Sequence, residues 1–447
     1  MGAGISMLAP DFFVGMKSSM RRFGARLAIL MIPATLAVGA WLVYRAVVSD
    51  QVPSDATAQF LARHWAQPVA PQGAPPPDFA AREASLAPES CGTCHASQYA
   101  DWRTSLHSRS IGPGILWQFR VLSQDESNSC LRCHAPLAEQ KALTALQHGW
   151  ANAPQDPVPS YVSSDLHLRG LVCAACHVRR HQYFGPPANS RNTLTTADLN
   201  SAPRQPHNGF VAERAFQDSR FCSTCHQFPP QGRSLAGKLI ENTYEEWRAS
   251  PAALQGLSCQ GCHMPDRRHL WRGVHDRDMV ANGLRRELEV KRLDASSLAV
   301  QAIISAPGVG HFFPTYVVPK VTVSLHLRDA TGTREIARHM IGRMVSVDMD
   351  RELSDTRIPP GGRATVSAQV KAPPGEYHVE MHIEVAPAEH YARMFQSMLD
   401  RNPHMAPDTR SILRVALREA QAATYRLEDL AVAAPIRLDE ARRAVAN

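Results

Sequence analysis

All ten cysteines of this 447-residue chain lie in copies of one pattern, Cys-x-x-Cys-His, and none is left over. The copies are Cys91-Gly-Thr-Cys94-His95, Cys130-Leu-Arg-Cys133-His134, Cys173-Ala-Ala-Cys176-His177, Cys222-Ser-Thr-Cys225-His226 and Cys259-Gln-Gly-Cys262-His263. Disulfide pairing would not require a histidine after each pair, and zinc sites would not repeat it in every copy. Covalent attachment of c-type haem requires both. Each thiol adds to a vinyl group of the porphyrin, and the adjoining histidine sits under the iron as proximal ligand. The expected cofactors are five covalently bound haem c groups, each with one iron. Their attachment residues are the ten cysteines, and their proximal ligands are His95, His134, His177, His226 and His263.

So many haems between residues 91 and 263 leave little room for a side-chain core. The expected fold class is a mainly α or irregular multihaem domain, residues 89–283, whose core is built by the haems. Residues 151–160 and 185–206, dense in Pro, Asn and Ser, read as loops. The character changes at residue 284. Val321, Val323, Leu325 and Leu327 alternate with polar residues, as do Val379, Met381, Ile383 and Val385. That period of two marks half-buried strands. Residues 284–447 are expected to form a small antiparallel β-sandwich with a C-terminal helix. Asp408 is the expected cap of that helix, and a last strand over 425–432 returns to the sheet.

The N-terminus adds an export signal. Residues 27–44 are an uncharged, largely apolar run of 18 residues, about 27 Å as a helix, against roughly 30 Å of bilayer hydrocarbon. Lys17, Arg21, Arg22 and Arg26 precede it. The sequence therefore predicts a cytoplasmic basic N-terminus (1–26), a transmembrane anchor (27–48) and a Pro/Ala-rich linker (49–88). It predicts a single-pass protein of the bacterial inner membrane with its haem domain in the periplasm. The alternative is a signal peptide cleaved near Val38-Gly39-Ala40. The formal charge of +7 is offset by haem propionates, which with the irons add about −5 to −10. It gives no reason to expect nucleic acid.

An electron-transfer haem takes a second axial ligand, and an iron with an open position binds substrate. Of twenty histidines, His107, His167, His207, His275 and His311 are the expected distal ligands. His148, His181 and His269 are held in reserve. His64, His326, His339, His378, His382, His390 and His404 read as solvated surface residues.

The segments Cys91-Gly-Thr-Cys94-His95-x3-Tyr99-x2-Trp102-x2-Ser105-x-His107 and Tyr244-x2-Trp247-x2-Ser250, leading to Cys259-Gln-Gly-Cys262-His263-Met264-Pro265, resemble the multihaem cytochromes c. That family includes the tetrahaem cytochrome of ammonia-oxidising bacteria and, more distantly, hydroxylamine oxidoreductase and pentahaem nitrite reductase. Gly310-His311-x2-Pro314-Thr315 and Asp355-Thr-Arg-Ile-Pro-Pro-Gly361 resemble a β-domain that follows the haems in some members. The resemblance implies that histidines placed like His107, His207, His275 and His311 ligate haems other than that of the nearest motif. Every motif here keeps its histidine, where the nitrite reductases replace one with lysine. Tyr316 stands where glycine often follows the His-x-x-Pro-Thr pattern.

The expected function is a membrane-anchored periplasmic electron carrier rather than an enzyme. It would pass electrons from a quinol or periplasmic donor to another redox protein. Its partners would be cytochromes or a quinol dehydrogenase, and it could stand as a homo-oligomer or a complex subunit. The alternative is an oxidoreductase acting on a small nitrogen or sulfur compound at one five-coordinate haem.

Overall fold

The computed structural model describes residues 55–188, 205–432 and 434–438. The described residues from Phe60 onward form one compact unit, and it carries every Cys-x-x-Cys-His motif. The anchor expected at residues 27–48 lies outside the described residues. Among the described residues, no helix is long and apolar enough to cross a membrane. The single-pass inner-membrane placement drawn from the sequence is corrected on that finding and carried no further.

The motif-bearing half is built from short helices. The principal ones are α1 (Ala96–Thr104), α2 (Gln124–His134), α3 (Ala138–His148), α4 (Cys173–His177), α5 (Arg220–His226), α6 (Thr243–Arg248) and α7 (Cys259–His263). Four motifs are helical turns that end on their histidine, in α2, α4, α5 and α7. Helical geometry puts positions i, i+3 and i+4 on one face, so both thiols and the imidazole of each motif face the same way. The first motif starts within the turn Pro88–Gly92, and His95 directly precedes α1.

Residues 60–88, expected within a linker, are packed instead. Val69, Ala84 and Leu86 share an apolar cluster with Trp102, Leu137, Leu143 and Val172. The Gln72 amide donates to the Glu139 carboxylate at 2.6 Å. His64, read as a surface residue, is buried and donates from Nε2 to the Cys176 carbonyl at 2.8 Å.

The second half holds two antiparallel sheets. Strands β1 (Arg285–Asp294), β2 (Ser297–Ser305), β3 (Lys320–Asp329), β4 (Gly332–Ile341), β5 (Arg343–Val345), β6 (Glu352–Asp355), β7 (Arg363–Lys371) and β8 (Gly375–Ala386) are followed by α8 (Glu389–Arg401) and α9 (Pro407–Ala422). One sheet runs β7-β2-β1 and the other includes β8-β3-β4, while β5 pairs with β6. In the larger sheet Leu325 sits opposite Met381 and Val323 opposite Ile383. These side chains meet Leu298, Val300 and Ile304 of β2 in one apolar core. A one-residue slip would turn them all to solvent, which pins the register. Tyr425–Arg426 and Leu430–Ala431 return to pair with β8. Helix α9 starts at Pro407, so Asp408 lies in its first turn rather than at its cap, where it accepts from the Thr409 amide.

The two halves are stapled by Arg343. Its side chain is 1% exposed. The guanidinium pairs with Glu352 at 2.8 Å and donates to the carbonyls of Leu235, Lys238 and Leu239. Removing one partner of a buried ion pair costs about 3–5 kcal/mol, and here it also strands carbonyls. Arg343→Met should lower the urea unfolding free energy by about that amount. A variant as stable as the parent would show the staple to be dispensable.

Candidate functional site

Three of the motif histidines are held in one tautomer by their surroundings. Nδ1 of His134 donates to the Ser110 carbonyl at 2.7 Å, that of His177 to Phe184 at 2.8 Å, and that of His263 to Arg272 at 2.5 Å. A carbonyl only accepts, so Nδ1 carries the proton and Nε2 keeps its lone pair. Burial pushes the His177 and His226 imidazoles down to about 4, and lowers His95 and His134 as well. A neutral ring with a free Nε2 is the form that binds a metal.

No disulfide joins any of the ten cysteines. Some meet across motifs. Cys91 lies within hydrogen-bonding reach of Cys173, Cys133 of Cys225, and Cys222 of Cys259. The first motif therefore adjoins the third, the second the fourth, and the fourth the fifth.

Spare histidines stand opposite three motif histidines. The ring centres of His107 and His226 are 6.4 Å apart, those of His177 and His269 6.2 Å, and those of His263 and His311 6.3 Å. Two imidazoles bound to one metal from opposite sides, each with a metal–nitrogen bond of about 2 Å, have centres roughly 6 Å apart. The spare rings are also set for ligation. His269 Nδ1 donates to the Arg267 carbonyl at 2.9 Å and His311 Nδ1 to Phe312 at 2.9 Å. Burial takes His311 down to about 4 and His107 to about 3. The residues present thus fit haem c, with thiols to bond its edge and paired imidazoles to hold its iron.

The other expected ligands fall elsewhere. His207 lies near His95, whose proton affinity is lowered first by burial and then by the charge on His207. Its ring stacks on Tyr183 at 4.1 Å, and its Nδ1 donates to the Gly209 carbonyl. His167 has its Nε2 2.7 Å from Gln147 Oε1, so that nitrogen is already engaged. His275 is exposed at the surface, and its proton affinity is lowered by desolvation and then by Arg109. Of the reserves, His269 takes a place opposite a motif histidine, whereas His181 donates to the Gly73 carbonyl and His148 stacks on Trp150. The signal for His269 was its place six residues past His263, just where the chain must double back.

The second motif has neighbours that sequence reasoning missed. Glu241 senses Cys133, Tyr391 senses Cys130 and Glu241, and Tyr316 senses Glu241 and Tyr391. The Glu241 carboxyl is partly buried, and desolvation raises it to about 8 despite the hydroxyl of Thr243, which donates to it at 2.7 Å. Tyr316 holds φ at +39°, a conformation that costs a bulky residue energy and tends to occur at functional sites.

Comparison with known proteins agrees with this chemistry. The family model for cytochrome c554 and c-prime matches residues 90–153. A penta-heme cytochrome c552 from Thermochromatium tepidum is 18% identical, over 79% of this chain and 100% of that chain, with a TM-score of 0.55. These matches support a multihaem cytochrome c family. They support covalently bound haem c and electron transfer with it. A β-glucosidase from Kluyveromyces marxianus is 11% identical over 24% of this chain and 12% of that chain, with a TM-score of 0.13, and carries no argument. The comparison with curated proteins found no match.

The Glu241 carboxyl gives this chain a pH signature. Its folded value of about 8 lies above the ordinary 4.5. The stabilising effect of its proton is therefore complete below about 4.5 and lost as pH rises through about 8. Glu241→Gln, which cannot ionise, should flatten the fall in melting temperature across that window. Parallel profiles for parent and variant would contradict a raised Glu241 carboxyl.

Proposed function

We propose that the chain holds five haem c groups, one at each motif, and carries electrons between redox proteins. Each group supplies reversible one-electron storage at its iron. The paired cysteines fix its edge, and His95, His134, His177, His226 and His263 are the proximal ligands. His226 is matched by His107, His177 by His269, His263 by His311 and His95 by His207. The observation that carries this reading is the set of three facing imidazole pairs at 6.2–6.4 Å. Imidazole on both sides closes an iron to exogenous ligands and favours the low-spin state that suits transfer over binding. Cytochromes or a quinol dehydrogenase are the partners this chemistry fits. The Tyr-x2-Trp-x2-Ser-x-His segment supports a resemblance to the tetrahaem cytochrome of ammonia oxidisers.

One observation favours a second reading at the second motif alone. A partly buried acid and two phenols, Glu241, Tyr316 and Tyr391, gather there, and such groups suit proton delivery to a small nitrogen or sulfur compound. His275 closing that iron keeps the chain a pure carrier, and an open position makes it an oxidoreductase. Carbon monoxide added to the reduced protein separates the two, because only an open haem binds it promptly.

His107→Ala and His311→Ala should each turn one low-spin haem high-spin in the electron paramagnetic resonance spectrum. Each should also add one carbon monoxide-binding haem. Spectra unchanged from the parent would overturn the pairing.

A further inference from the structure

The segment Tyr99-Ala-Asp101-Trp102-Arg103-Thr-Ser105 recurs as Tyr244-Glu-Glu246-Trp247-Arg248-Ala-Ser250. The two copies share hydrogen bonds as well as letters. In α1, the Trp102 indole donates to the Leu171 carbonyl at 2.8 Å, two residues before Cys173 of the third motif. In α6, the Trp247 indole donates to the Leu257 carbonyl at 2.9 Å, two residues before Cys259 of the fifth. Each helix is closed by its serine, whose amide donates to the tryptophan carbonyl.

The acidic position beside each tryptophan reaches the other side of the same centre. Asp101 is 6% exposed. It accepts the backbone amide of His269 at 3.0 Å and a bidentate pair of bonds from Arg268 at 2.6 and 2.7 Å. His269 is the ring that faces His177 of the third motif. Glu246 is 7% exposed. It accepts the amide of Phe312, next to His311, at 3.2 Å, and pairs with Arg357 at 2.8 Å. The Arg357 guanidinium in turn lies 4.8 Å from the centre of the Phe312 ring. His311 is the ring that faces His263 of the fifth motif. The close fit also needs Gly310, since a Cβ there would sit 3.3 Å from the Trp247 ring and 3.1 Å from Ala252.

We propose that this seven-residue segment is a ligand bracket used twice, its indole fixing the motif side of one haem site and its carboxylate fixing the opposing histidine. Asp101 is then a positioning residue for His269 and Glu246 one for His311. The proposal rests on the axial-ligand reading above and adds what sets the ligands. A hydrogen-bonded, ion-paired carboxylate holds a backbone amide more firmly than a neutral acceptor does, and outer residues of this kind govern how well a metal ligand stays in place.

The test uses the haem-loaded full chain and reads spin state and carbon monoxide binding, which a merely structural residue would not move. Asp101→Ala should convert part of one haem to the high-spin, carbon monoxide-binding form, and His269→Ala should convert that same haem fully. The double variant should match His269→Ala alone. Glu246→Ala and His311→Ala should behave likewise at the fifth motif. Asp101→Asn and Glu246→Gln keep an acceptor oxygen. They should stay low-spin, with the midpoint potential of one haem shifted in each. If an alanine variant does not load haem, the amide variant decides by that potential. Alanine variants that unfold more easily yet keep the parent spectrum and stay inert to carbon monoxide would overturn the bracket. Histidine variants with the parent spectrum would instead overturn the axial-ligand reading and the bracket with it.

Discussion

On the proposed reading, irons shared by His107 and His226, His177 and His269, and His263 and His311 would decide which distant parts of the chain must meet. Each pair joins a helical turn that carries a motif to a stretch of loop or short helix elsewhere. The short helices of the first half have little propensity to persist alone. Their order comes from what they hold and what holds them. The same logic explains the carbonyl contacts at Nδ1 of His177, His269, His263 and His311, which orient those rings and fix their tautomers.

The sheet-rich half is tied into this arrangement rather than appended to it. His311 lies in the loop between β2 and β3 and reaches across to His263. Arg343 and Arg357, both nearly fully buried, pair with Glu352 and Glu246. Buried ion pairs of this kind add less to stability than their geometry suggests, because desolvation opposes them. Their role is better read as register: they allow one placement of the His311 loop and of the 234–239 hairpin. Strain at Tyr316 sits on the same loop.

The legible parts of the sequence were those with a local period. The alternations at Val321–Leu327 and Val379–Val385 lie in β3 and β8, because a sheet with one buried face writes its pattern into adjacent residues. The motifs were legible for the same reason, since thiols and imidazole must sit within one helical turn. The distal partners were not, because a ligand that crosses between segments leaves no local period. His167 resembled a ligand by its place before the third motif, yet Gln147 engages its Nε2. His269 came into place through the backbone turn that Asp101 fixes. The segment before the first motif looked like a linker by its Pro and Ala content, but Val69 and Leu86 are buried in the core. Composition reports flexibility only where no apolar contact overrides it.

The account stands on every Cys-x-x-Cys-His motif carrying its own thioether-linked haem. The intact mass of the denatured protein, purified from cells able to attach haem c, tests this most directly. The account predicts one species whose mass exceeds the polypeptide by five haems, with none released by acid. A mass showing fewer attached haems, or free thiols titrating at any motif, would contradict it.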